Sequence, residues 1–131
     1  NGTFRGNSHA FATAKAAIDK FWIDDTFLSS FDEKEQIIIE TLQSLSNIIE
    51  NSQLKGRGLF RGIDVLSGDL ANKICRTAFE NGLILETSGS DGQVIKILAA
   101  LTISKDELKN GLDILRSATE TTLQSSNLAA E

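Results

Sequence analysis

Lys55-Gly56-Arg57-Gly58-Leu59-Phe60-Arg61-Gly62-Ile63-Asp64 stands between two helical patterns, and its reading decides the fold. Leu59, Ile63 and Val65 alternate as the buried side of a strand does, with Arg61 the one polar residue in that row. Gly58 and Gly62 remove side chains where the strand bends or where a neighbour comes close. The stretch therefore reads as the central strand of a small sheet onto which the later elements fold back.

The helical pattern before it has Phe31, Ile38, Leu42, Leu45 and Ile49 on one face, while Glu33, Lys34, Glu40 and Glu50 take the solvent. This predicts a helix from about residues 27–32 to about residue 51. After it, Ser67-Gly68 opens a helix whose buried face is Leu70, Ile74 and Ala78, flanked by Cys75 and Phe79. Asn81-Gly82 closes that helix. Residues 83–87 read as a short strand, 88–92 as a turn, and 93–98 as a further strand. Ser104-Lys105-Asp106-Glu107 fits a capping box, with Ile103 and Leu108 placed as its hydrophobic staple. Leu108, Leu112 and Leu115 continue the buried face, and the pattern dissolves into a polar tail after Thr122. At the other end, residues 1–7 form a glycine-punctuated loop. A helix from Ser8 follows, with Phe11, Ala14, Ile18, Phe21 and Trp22 as an apolar stripe and alanines on other faces. Asp24-Asp25 breaks that helix and offers a cap for the next.

The fold class this predicts is α+β: a three-stranded, mainly antiparallel sheet with helices packed on one face, preceded by a connecting helix. Two segments follow from it, residues 1–23 as loop and connecting helix and residues 24–131 as the compact unit.

With 131 residues, 40% hydrophobic and 24% charged, the chain is long enough for one packed core. Its net charge of −5 and pI near 4.9 argue against a nucleic-acid partner. No apolar run approaches the roughly 18 residues of a membrane span. No secretory leader is legible, and the single cysteine fits a reducing, cytoplasmic setting. The chain contains neither methionine nor proline. The lack of an initiating methionine is the mark expected of a piece of a longer protein.

Chemistry-bearing residues are few. His9 and Cys75 are the only members of their types, and Cys75 stands among apolar helix neighbours where a thiol is usually inert. Asp24, Asp25 and Asp91 read as caps and turns, so neither a metal site nor a catalytic residue is expected within the chain. Residues 88–92 read as a hairpin turn and not as an anion cradle, because they open no helix. The opening loop Gly2-Thr3-Phe4-Arg5-Gly6-Asn7 differs. It combines a hydroxyl, a guanidinium and flexible amides just before a helix N-terminus, a set able to hold phosphate.

That loop, Arg57-Gly58-Leu59-Phe60-Arg61-Gly62-Ile63-Asp64, Ala78-Phe79-Glu80-Asn81-Gly82-Leu83-Ile84-Leu85-Glu86-Thr87-Ser88-Gly89, Val94-Ile95-Lys96 and Leu101-Thr102-Ile103-Ser104 occur in an order that resembles the C-terminal third of class III pyridoxal-phosphate aminotransferases. The similarity is greatest to the subgroup acting in ectoine biosynthesis. The resemblance implies transfer of an amino group between glutamate/2-oxoglutarate and 2,4-diaminobutyrate/aspartate semialdehyde. It implies that Thr3, with Gly2, holds the phosphate of pyridoxal phosphate, in such dimers from the neighbouring subunit. Lys96 stands where many class III enzymes place an arginine that grips a substrate carboxylate, and Arg5 adds a second substrate contact. The chain would then be a small domain closing over the active site of a homo-oligomer, with amino-acid and 2-oxo-acid substrates. The family's Schiff-base lysine lies upstream of the threonine loop, so the large cofactor-binding domain is a missing partner and the isolated chain is expected to be inactive. The competing reading is a stand-alone, non-catalytic binding or oligomerisation module derived from such an enzyme. Two departures stand out: Ser8 follows Asn7 where most relatives have proline, and residues 98–101 lack the prolines common there.

Overall fold

The computed structural model describes residue 2 and residues 5–128. Four helices and four strands follow in the order α1 (Ser8–Phe21), α2 (Thr26–Ser46), β1 (Gln53–Arg57), β2 (Phe60–Asp64), α3 (Gly68–Glu80), β3 (Glu86–Ser88), β4 (Val94–Leu98) and α4 (Lys105–Leu128). The sheet has the order β1-β2-β4-β3, every neighbouring pair antiparallel. This confirms the α+β class and corrects the strand count. The stretch read as one strand is a hairpin: β1 and β2 pair from Gln53↔Asp64 to Arg57↔Phe60, and Gly58-Leu59 makes the turn. Gly56 and Gly58 take φ of +92° and +58°, a region where glycine carries no Cβ penalty, and this lets the chain reverse.

Helices α2 and α3 pack on one face of the sheet, and α4 packs against both of them. The core lies between them, built from Ile38, Leu42 and Leu45 of α2, Ile63 of β2, Ile95 of β4 and Leu115 of α4. The alternation read from the sequence is real: Leu59, Ile63 and Val65 are buried on the helix side and Arg61 shares that side half-buried. Ile63 pairs with Ile95 and Arg61 with Ile97, so the inner face sets three β-branched isoleucines beside one arginine. A buried isoleucine contributes roughly 1.5–3 kcal/mol by leaving water.

Several boundaries differ from the expectation, each for a local reason. Helix α2 stops at Ser46 and turns through Asn51, whose φ of +58° is left-handed. Asp25 holds its N-cap position without a side-chain cap bond, and Asp24 Oδ1 accepts from the Thr26 amide at 2.8 Å instead. Lys34 does not take the solvent: it is 6% exposed and donates to the Leu101 carbonyl at 3.0 Å, tying the β4–α4 loop to α2. Residues 83–85 carry no ladder, and the strand there begins at Glu86. Helix α4 does not fray after Thr122 but continues to Leu128. Thr119 and Thr122 bond their hydroxyls to the carbonyls of Leu115 and Ala118, at 2.8 and 2.7 Å, and so turn polar residues into buried helix positions.

Helix α1 stands apart from the core: none of its residues is buried, and of its apolar stripe Phe11 is 66% and Ile18 58% exposed. Only its C-terminal end joins the body, where Phe21 and Trp22 meet Phe27 at ring-centroid distances of 5.0 Å each.

Candidate functional site

Strand alternation places Lys96 on the opposite face from Ile95 and Ile97, away from the helices. The ladder then sets a row across that face: Lys55 opposite Gly62, Gly62 opposite Lys96, and Lys96 opposite Glu86. Lys96 Nζ lies 2.7 Å from Glu86 Oε2, and the two side chains are 20% and 71% exposed. The hydrogen bond from Lys96, then its charge, holds the Glu86 carboxyl below the usual glutamate range. Lys55 leans away from Lys96 toward Gln53 Oε1 at 2.8 Å and Asp64 Oδ2 at 3.9 Å. Between the two lysines Gly62 raises no side chain, and a Cβ there would lie 2.6 Å from the Ile95 carbonyl oxygen. The row is thus a part-buried cation, flanked on one side by a buried glycine and paired on the other with an exposed carboxylate. A point charge in that setting can take the carboxylate of a ligand.

Where β3 stops pairing, a cleft of about 400 Å³ opens between residues 83–86, the end of β4 and α4. Its walls are mostly aliphatic, among them Leu85, Ile97 and Leu112, with Glu86 and Lys96 also lining it.

The opening loop forms a second group. The Arg5 amide donates to the Gly2 carbonyl at 2.9 Å, closing a turn. The Arg5 side chain folds over Gly2 so closely that a Cβ on Gly2 would fall 2.4 Å from Nε. Among the described residues Arg5 has no carboxylate partner. A guanidinium held over a glycine backbone suits an anion, so the residues present fit a phosphate group. The helix end behind them does not add to it: Asn7 Oδ1 already accepts from the amides of His9 and Ala10, at 3.0 and 3.4 Å. Thr3 lies outside the described residues. Gly2 and Arg5 are therefore brought together, and Lys96 stands apart from them on the sheet.

One polar cluster escaped sequence reasoning. Arg61 reaches Glu35 of α2 and donates through Nε to the Gly58 carbonyl at 3.1 Å, while Glu35 Oε1 accepts the Gly58 amide at 3.1 Å. The clamp fixes the tip of the β1–β2 hairpin on α2. Arg61, the one polar residue in an apolar row, is the signal of it that the sequence carries. Of the remaining groups, burial pushes the Cys75 thiol up, away from reactivity. Gly89 and Gly92 turn the β3–β4 connection at φ of +95° and +67°, with its Asp91 amide donating to Gln93 Oε1. Among the described residues no three of His, Cys, Asp and Glu gather as metal ligands would, and no helix is long and apolar enough to cross a membrane.

Comparison with known proteins defines the class. The family model of class-III aminotransferases matches residues 1–119, and the chain belongs to that family. It is 54% identical over 125 residues to a diaminobutyrate–2-oxoglutarate transaminase of Halomonas elongata, covering 92% of this chain. A protein of the same description from Bordetella parapertussis is 39% identical over 134 residues, covering 100% of the chain. The chain spans only 30% and 31% of the length of these relatives. Among solved structures, a transaminase from the marine bacterium Virgibacillus superposes with a TM-score of 0.69 at 15% identity, covering 87% of this chain and 28% of its own.

Proposed function

We propose that the chain is the C-terminal, substrate-closing domain of a pyridoxal-phosphate-dependent aminotransferase that moves an amino group between 2,4-diaminobutyrate and 2-oxoglutarate. The observation that carries the site is Lys96: a part-buried cation on the exposed sheet face, engaged by a carboxylate that is itself largely in water. The 54% identity to the Halomonas elongata transaminase supports the substrate pair. Gly2 and Thr3 would hold the cofactor phosphate, and Arg5, lying over Gly2, would supply positive charge to a substrate carboxylate beside it. Pyridoxal phosphate, when bound, supplies the electron sink for amino transfer. This chain's residues bind and orient the substrate, and the domain closes to exclude water. Residues 1–23 would belong with the large domain that the relatives' extra length provides, which accounts for the uncovered apolar side of α1.

The test is a graft: the matching segment of the Halomonas elongata transaminase is replaced by this chain. In that enzyme Lys96→Ala should raise KM for 2-oxoglutarate by about tenfold or more, the size of one lost charge-assisted hydrogen bond. An unchanged KM for both substrates would reduce Lys96 to a strand residue with no role in binding.

A further inference from the structure

Lys96 and Glu86 are direct cross-strand partners, and their heads lie side by side on the open face of the sheet. An ammonium has three donors and a carboxylate about four acceptor positions, so one mutual contact leaves both with capacity to spare. The flank of Lys96 away from Glu86 is the buried Gly62, closed over by the Ile95 carbonyl oxygen and the Val94 side chain, so a ligand meets the pair from the solvent side where Glu86 stands. The chemical group that complements such a pair carries its own carboxylate and ammonium on neighbouring atoms. That group is the head of an α-amino acid, its carboxylate on Lys96 and its ammonium on Glu86.

Resting on the proposed function, this pattern separates the two amino donors. 2,4-Diaminobutyrate reacts through its γ-amino group and presents a zwitterionic α-amino-acid head at its far end. Glutamate reacts through its α-amino group and presents a lone carboxylate there. We propose that Glu86 is a specificity-determining residue that binds the α-ammonium of 2,4-diaminobutyrate. For the dicarboxylic partner the same residue is a like charge beside the incoming carboxylate. Because Glu86 is 71% exposed, it turns into water at small cost and leaves Lys96 to that carboxylate alone. One ion pair thus serves two ligand ends of different charge.

The experiment measures KM for 2,4-diaminobutyrate and for 2-oxoglutarate in the grafted enzyme and in its Glu86→Gln and Glu86→Asp forms. The expected result for Glu86→Gln is a rise of about tenfold in KM for 2,4-diaminobutyrate, from loss of one charge-assisted hydrogen bond. KM for 2-oxoglutarate should stay the same or fall, and Glu86→Asp should recover part of the 2,4-diaminobutyrate binding. An equal rise for both substrates would mean that Glu86 only positions Lys96, and no change would mean that it does neither; each overturns this inference and leaves the aminotransferase reading standing. A grafted enzyme that folds and retains the cofactor yet turns over neither substrate overturns that reading and this inference with it.

Discussion

Glu35 is ionised beside Arg61 and accepts both its guanidinium and the Gly58 amide, so its carboxyl is held below the usual glutamate range, chiefly by the Arg61 hydrogen bond. A carboxyl lowered by folding adds stability above its unfolded pKa and loses it as pH falls through the folded value. The clamp should therefore be complete at neutral pH and fail as the solution is taken below the ordinary glutamate range near 4.5. Urea midpoints measured from pH 7 down to pH 3 should fall less steeply for Glu35→Gln than for the natural chain. Glu33, Glu86 and Glu107 shift in the same direction, so the substitution should flatten the acid limb only in part. Identical acid limbs would remove Glu35 from the account. Gly56 gives a second test at this scale. At φ +92° an added Cβ would lie 2.2 Å from the Phe60 carbonyl oxygen. Gly56→Ala should destabilise by at least about 1–2 kcal/mol, the cost of a side chain in left-handed backbone, read from the same midpoints.

At the scale of elements, the start of α4 shows how far local chemistry carries. The Ser104 amide donates to Glu107 Oε2 at 3.2 Å and the Glu107 amide donates to Ser104 Oγ at 3.2 Å, as the capping-box sequence predicts. Ser104→Ala should cost about 0.5–2 kcal/mol of stability, measured by urea denaturation, and no loss would mean that solvent caps the helix equally well. Such signals are local, which is why α3, α4 and the turn at residues 88–92 were legible in the sequence. The hairpin was not. Leu59, Ile63 and Val65 keep their period of two through it, and only the positive φ at Gly56 and Gly58 separates a bend from a reversal. The burial of Lys34 was hidden for another reason: its partner, the Leu101 carbonyl, is distant in sequence. Thr119 and Thr122 concealed the end of α4, because nothing in their composition says that their hydroxyls will turn back onto the helix.

For the whole molecule, the sheet has one face covered by helices and one face carrying the row of Lys55, Gly62, Lys96 and Glu86. Lys96 is legible in the sequence through family similarity, and the ladder adds its neighbours, Gly62 and Glu86. Glu86 had no signal of its own, since a glutamate on a short edge strand reads as solvated surface. The exposed side of α1 is what the proposed place of residues 1–23 against a large domain requires. The most direct measurement is amino transfer from 2,4-diaminobutyrate to 2-oxoglutarate by the grafted Halomonas elongata enzyme, with the isolated chain assayed beside it. The grafted enzyme should transfer the amino group, and the isolated chain with added pyridoxal phosphate should not. A grafted enzyme that folds and retains the cofactor yet transfers nothing, or an isolated chain that turns over by itself, would contradict the account.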